Sequence, residues 1–311
     1  MSLTASVITP TRNRAAMVAG CLRYLSEQTL APDRYEILVV DDASTDETRG
    51  VIEAAVRTSR CAVRPFFLTE RKGVPGARNH AIRQARGDVI VFVDSDNFAA
   101  PTYLAAHLAI HEAHPKAVGR GPVILTRSID RPFAVRAGIL DLSTAYFDTD
   151  NASVRRTHLD RAGLFDEVFY PYGWEGLDLG FRLRKLGLRR FYRRDAALYH
   201  YHEEVSPGSL DGLLRKEADR ARTAWLFYEK HPTLEARFAL QFTPFHLALN
   251  SVQRLFGLVG PENVEGWVRR ADRAGMPGLG RLLLSGVLNA HYLAHLLENG
   301  QMRPGSRAHG N

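Results

Sequence analysis

Two carboxylates two residues apart, Asp94 and Asp96, follow the apolar run Val89–Val93 with Ser95 between them. Oxygen ligands at that spacing suit a hard divalent cation, Mn2+ or Mg2+, which would bridge a diphosphate. Acids after a strand also serve as ordinary turn residues, so the triplet gains meaning only from its context. A second acidic pair, Asp41-Asp42, closes the apolar run Glu36–Val40. It can accept bonds from a ribose or a base N–H, or cap a helix expected to start near Ser44. Between the pairs, Gly73-Val74-Pro75-Gly76-Ala77-Arg78-Asn79 combines a compliant backbone with a guanidinium at a helix start, a loop suited to phosphate. Neither a G-K-[ST] phosphate loop nor a G-x-G-x-x-G turn occurs, which removes the main support for a nucleotide triphosphatase or a dinucleotide dehydrogenase.

Acids in these places need strands that end at them. Over the first 125 residues, strand patterns at 6–9, 36–40, 63–68 and 88–93 alternate with helical patterns at 15–28, 44–57 and 76–85. Met17, Cys21 and Leu25 mark the first helix at four-residue intervals. Alternation of this kind predicts an α/β fold, a parallel sheet covered by helices on both faces. In such open sheets, ligands bind beyond the carboxyl ends of the strands, where the acids lie. From 124 to 160 the periodicity weakens around the turn-prone Asp148-Thr149-Asp150-Asn151, as expected of loops crossing a substrate cleft. A helix at 177–186 and a strand at 190–202 follow. Beyond 210 the pattern is helical, broken at Pro232, Pro244, Pro261 and Pro277, and 303–311 reads as a frayed tail.

Taken in order, Ser6-Val7-Ile8-Thr9-Pro10-Thr11-Arg12-Asn13-Arg14, Val39-Val40-Asp41-Asp42-Ala43-Ser44-Thr45-Asp46, Gly76-Ala77-Arg78-Asn79 and Val93-Asp94-Ser95-Asp96 resemble the successive motifs of family 2 glycosyltransferases. The likeness runs over about residues 4–205 and implies a GT-A fold. The parts would be a nucleotide-sugar half, 1–125, an acceptor half, 126–210, and a helical C-terminal extension, 211–311. It further implies metal-assisted transfer of a sugar from a nucleoside diphosphate to an acceptor hydroxyl, with inversion. By the same resemblance Pro10, Arg12, Asp42, Arg78, Asp94 and Ser95 would meet the nucleotide-sugar, and Asp94, Asp96 and His200 would hold Mn2+ or Mg2+. Arg12 departs from the family, which often has an aromatic residue there, although a guanidinium can also stack on a base.

Gly173-Trp174-Glu175-Gly176-Leu177-Asp178-Leu179 resembles the family's acceptor-side motif, whose second acid is the base; here that position is Gly176. Glu175 and Asp178 are the available catalytic acids, three apart on one helix face. The plainer alternatives are a helix-start acid for Glu175 and an i,i+4 partner of Arg182 for Asp178. Trp174 would stack on an acceptor sugar or wedge the loop in place. His200 and His202 share one side of a strand, and a hydrogen-bonded histidine near the cleft is the alternative to a ligand. With Gly176 replacing an acid, a non-catalytic nucleotide-sugar or glycan-binding protein is the alternative function.

The chain has 311 residues, 45% hydrophobic and 24% charged, with a net charge of +7. This excludes disorder and collagen and favours anionic partners. Without a recognisable nucleic-acid motif, nucleic acid is not expected as a partner. Two cysteines, Cys21 and Cys61, suit a reducing compartment, and no secretory signal or spanning helix is expected, which points to the cytoplasm or the inner face of the membrane. His107, His111 and His114 lack the acid of a zinc motif and are expected on a solvated helix face. The basic run Arg182, Arg184, Lys185, Arg189, Arg190, Arg193 and Arg194 reads mainly as solvated faces. In the C-terminal helices, apolar stretches with Arg237 and Arg254 suit packing on another surface of the protein or a second subunit, or peripheral membrane association. The expected partners are a nucleotide-sugar donor and a glycan, lipid-linked or small-molecule acceptor.

Overall fold

The computed structural model describes residues 4–135, 146–170, 173–202 and 210–301; the tail at 303–311 lies outside them. Two compact units divide the chain, 1–170 with 175–204, and 171–174 with 205–311.

In the first unit the elements run β1 (Ala5–Thr11), α1 (Ala15–Ser26), β2 (Tyr35–Asp41), α2 (Thr48–Thr58), β3 (Ala62–Phe67), α3 (Gly73–Gln84) and β4 (Val89–Phe92). They continue as β5 (Asn97–Ala99), α4 (Tyr103–Ala113), β6 (Ala117–Arg120), β7 (Val123–Thr126), β8 (Ala152–Arg155), α5 (Arg156–Ala162), α6 (Glu175–Lys185), β9 (Arg189–Tyr192) and β10 (Leu198–Tyr201). Seven strands form the main sheet in the order β3-β2-β1-β4-β8-β6-β9, and β5-β10-β7 form a small second sheet. β1 pairs in parallel with β2 and β4, whereas β8 runs antiparallel to β4 and β6. Strands from 126–210 thus complete the sheet begun in 1–125, and the division at 125 falls inside β7.

Side-chain alternation builds the two core layers. Val7, Ile37 and Val91 align across the sheet and join Leu22 and Leu25 of α1, Ile52 of α2 and Leu104 of α4 in one cluster. One residue on, Ile8, Leu38 and Phe92 face the other way and join Ala77 and Ala81 of α3, Leu159 of α5 and Leu179 of α6. Each fully buried aliphatic side chain contributes about 1.5–3 kcal/mol, so the central strands are fixed in register and their carboxyl ends with them.

Three expectations are corrected. The stretch 190–202 is two strands in different sheets, because Arg193 and Asp195 make a turn in which Ala196 N–H donates to Arg193 O. The second helix starts at Thr48 rather than near Ser44: Ser44 is held by Asp41 in a turn, and Asp46 Oδ1 accepts from Thr48 N. His107 and His111 are buried, not solvated; both bond to Ser153 Oγ at 2.8 Å, and His107 Nε2 reaches Asn151 Oδ1 at 3.0 Å. Only His114 of the three is exposed, stacked on Phe191.

The second unit holds α7 (Leu210–Lys230), α8 (Leu234–Ala239), α9 (Pro244–Gln253), α10 (Val264–Arg273) and α11 (Pro277–Gln301). Pro244 and Pro277 occupy first helical positions, where the missing N–H costs nothing, and Pro232 and Pro261 lie between helices. Leu210, Val259, Val264, Leu283 and Val287 form its core.

Candidate active site

The carboxyl ends of β1, β2 and β4 bring the expected residues to one edge of the sheet. Pro10 lies within buried β1 and Arg12 stands exposed just after it. At the end of β2, Asp41 Oδ1 accepts from Ser44 N at 3.1 Å, the turn role expected of the pair. Asp42 instead reaches across to the start of α3, accepting from Lys72 N at 2.6 Å and Gly73 N at 2.9 Å. Both oxygens keep a lone pair for a base or ribose. Gly73 is required there: its φ is +70°, and a Cβ would lie 2.4 Å from the Tyr170 ring.

One turn into α3, the helix places Arg78 under the strand ends, where it is 2% exposed. Nη2 donates to Asp94 Oδ1 at 2.7 Å and Nη1 to Glu175 Oε1 at 3.3 Å, while the guanidinium lies over the Phe165 ring. A single buried cation therefore joins the acid after β4 to the acid that opens α6. Burial works against the charge of Asp94, and Arg78 outweighs it, holding the carboxyl below its ordinary range. Ser95 is buried, and Cys21 Sγ donates to the Asp94 carbonyl at 3.7 Å. Burial pushes that thiol up, so it is an inert packing residue.

Asp96 is paired with Arg14 at the start of α1 and faces His200 Nε2 of β10 at 3.9 Å. On its other side His200 Nδ1 faces Asp150 Oδ2 at 3.7 Å. Facing Asp150 raises the His200 imidazole above its ordinary value against the effect of burial. Asp150 is pushed up to about 6, by burial first and then by Asp94 and Asp148, against the pull of His200. The separation of Asp96 Oδ2 and His200 Nε2 is less than twice a metal–ligand distance of about 2.1 Å, so one cation can touch both. Among the described residues no group of three or more His, Cys, Asp or Glu side chains is arranged to hold a metal. The donors fit a cation that takes its remaining ligands from substrate phosphates and water, the usual habit of Mg2+.

The structure separates the two candidate bases. Glu175 joins Arg78 and is partly accessible, whereas Asp178 is fully buried and its Oδ2 accepts from both Nε and Nη2 of Arg182, at 2.9 and 2.6 Å. Asp178 thus makes the i,i+4 pair with Arg182 that was its alternative role, and Glu175 is the more accessible of the two acids. Trp174 packs within the helical unit, stacked on Phe227 with its Nε1 donating to Arg220 O at 2.8 Å. Two residues that line the cluster were quoted from the sequence without a role there, Arg14 and Asp150. Asp148-Thr149-Asp150 repeats the acid spacing of Asp94-Ser95-Asp96 directly before β8, and that repetition is the signal that marks it.

Acids at the carboxyl ends of a mainly parallel sheet with helices on both faces are the arrangement expected of a GT-A transferase. The chain belongs to glycosyl transferase family 2, whose model matches residues 6–162, half of the sequence. It is 28% identical over 272 residues to the uncharacterized glycosyltransferase YfnE of Bacillus subtilis (strain 168), covering 68% of each chain. It is 28% identical over 268 residues to a validoxylamine A glucosyltransferase of Streptomyces hygroscopicus subsp. limoneus, covering 74% of this chain and 57% of that one. Its fold is similar to that of the mannosyltransferase PcManGT from Pyrobaculum calidifontis, solved in complex with GDP-Man and Mn2+. The TM-score is 0.65 at 22% identity, over 96% of this chain and 87% of the other.

Proposed function

We propose that the chain transfers one sugar from a nucleoside diphosphate to an acceptor hydroxyl, with inversion at the anomeric carbon and assisted by Mn2+ or Mg2+. The observation that carries this reading is Arg78, which ties Asp94 and Glu175 to one guanidinium. Asp96 and His200 would hold the cation, which when bound would neutralise charge on the departing diphosphate, and Asp94, held by Arg78, would face the sugar-nucleotide beside them. Glu175 takes the proton of the acceptor hydroxyl as its oxygen bonds to the anomeric carbon and the bond to the diphosphate breaks. Arg78 orients both acids, and Asp42 fixes the loop before α3 while presenting its free lone pairs to base or ribose. Pro10, Arg12 and Ser95 complete the nucleotide side, and Trp174 holds its loop by packing rather than by stacking on a sugar.

The acceptor is a glycan, lipid-linked or small-molecule hydroxyl, and the setting is the cytoplasm. A thermal-shift screen of UDP-, GDP- and dTDP-sugars with and without Mn2+ tests donor and metal together, since a ligand of the native state raises its melting temperature. Release of nucleoside diphosphate that requires an added acceptor supports transfer. A donor that binds with no such release would instead make the chain a nucleotide-sugar-binding protein.

A further inference from the structure

Asp150 takes no part in the transfer step, yet the chain fixes it beside His200 from two directions. It sits in a turn before β8, closed where Asn151 N donates to Asp148 O at 3.1 Å. From β6, Arg120, 1% exposed, donates Nη2 to Asp148 Oδ2 at 3.1 Å, and Asp148 Oδ1 accepts from Asp150 N at 3.3 Å. A guanidinium buried so deeply is costly unless paired, and the turn supplies the pair. From β5, Asn97 Nδ2 donates to Asp150 O at 3.4 Å, and Asn97 is the residue that pairs with His200 where β5 and β10 meet. The backbone of Asp150 is thus tied to the strand next to its histidine.

The imidazole of His200 turns one nitrogen to each of two acids. Nε2 lies 3.9 Å from Asp96 Oδ2, and Nδ1 lies 3.7 Å from Asp150 Oδ2. A neutral imidazole has one N–H and one free lone pair, and a cation takes the lone pair. Asp96 stands two residues after Asp94 beyond β4, at the edge proposed for the nucleotide-sugar, so the cation belongs on the Nε2 side. An acceptor on the Nδ1 side draws the proton there and leaves Nε2 open. Carboxylates orient metal-ligating histidines in this way, and losing one costs about 10–100-fold in metal affinity.

We propose that Asp150 is a positioning residue for His200: it keeps the proton on Nδ1 and Nε2 free for the cation shared with Asp96, while Arg120 and Asn97 fix the turn that carries it. The proposal rests on the metal-assisted reading of the site. Calorimetry of the full chain with Mn2+ alone, and 15N NMR of the metal-free protein at about pH 9, above the ordinary histidine range, test it. Loss of a signal in His200→Gln identifies the His200 ring. In the wild type that ring should be protonated on Nδ1. Asp150→Ala should bind Mn2+ about tenfold more weakly or worse and lose the Nδ1 preference. Asp150→Asn keeps an oxygen for Nδ1–H without the charge, and should retain the tautomer and most of the affinity. A wild-type proton on Nε2, or Asp150→Ala binding Mn2+ as well as the wild type, would overturn the proposal. So would Asp150→Asn losing as much as Asp150→Ala, since the carboxylate would then act as a ligand or a bare charge. A wild type that binds no Mn2+ would overturn the metal-assisted reading itself and this proposal with it. Circular dichroism checks folding, and if Asp150→Ala does not fold, Asp150→Asn and the wild-type tautomer decide.

Discussion

At the scale of single residues the site depends on what each carboxylate is bonded to. Glu175→Gln keeps the size of the side chain and an oxygen for Arg78 Nη1, but cannot accept a proton. Turnover should fall by about a hundredfold or more while donor affinity by calorimetry stays unchanged. Near wild-type turnover would remove Glu175 from the mechanism. The adjacent position has room for an acid, since a Cβ on Gly176 would lie 3.5 Å from Thr149 Cγ2, an ordinary contact. Gly176→Asp in the Glu175→Gln background should recover part of the lost turnover, because it returns a carboxylate to the same helix start. No recovery would show that the position does not face the acceptor. Arg14 occupies Asp96, the acid proposed for the metal, so a cation must displace it. Arg14→Gln should therefore raise the Mn2+ affinity of the free protein in calorimetry, and an unchanged or weaker affinity would refute this competition.

At the scale of elements, the turns before helices decide which acid faces the cleft. Asp41 and Asp42 are adjacent in sequence, yet one closes a turn with Ser44 and the other holds the start of α3. Pattern alone predicts that both can cap or bind, and only the long-range pairing of Asp42 with Lys72 and Gly73, some 30 residues on, separates them. Asp42→Ala removes two backbone bonds that position the turn leading to Arg78. It should weaken free nucleoside diphosphate as much as the full donor, and a variant with normal nucleoside diphosphate affinity would place Asp42 elsewhere. The strands near the site were readable because β2 and β4 are short apolar runs that stop at or just before an Asp; β1 reads as ending at Pro10 but runs through it to Thr11. The break between β9 and β10 was not readable, since Arg193-Arg194-Asp195 contains no Gly or Pro to mark a turn. Asp178 illustrates the same limit: its i,i+4 spacing to Arg182 is visible in sequence, but its complete burial is a property of α6 packed on the sheet.

At the scale of the whole chain, the alternating first unit was legible as an α/β fold because its core layers follow strand and helix periods. Its buried polar network was not legible, because nothing local distinguishes a solvated histidine face from one pressed against a sheet. Only the antiparallel β8, entering between β4 and β6, brings Asn151 and Ser153 under α4 to bond His107 and His111. That burial makes stability depend on pH. Burial first, and then nearby positive charge from Arg120 for His107 and from His107 and Arg155 for His111, holds the two imidazoles down at about 4 and about 3. In the unfolded chain a histidine takes its proton near pH 6.5. Between about 6.5 and those lower values the unfolded state binds more protons than the native state. Stability is therefore fully present above about pH 6.5 and falls as pH drops, by up to about 1.4 kcal/mol per pH unit for each histidine. His107→Gln should be less stable at neutral pH, because it disturbs a buried network, yet its stability should fall less steeply between pH 6.5 and 4. Urea unfolding at a series of pH values measures both effects in one experiment. If the variant keeps the wild-type slope across that window, the proton uptake on acid unfolding comes from groups other than His107.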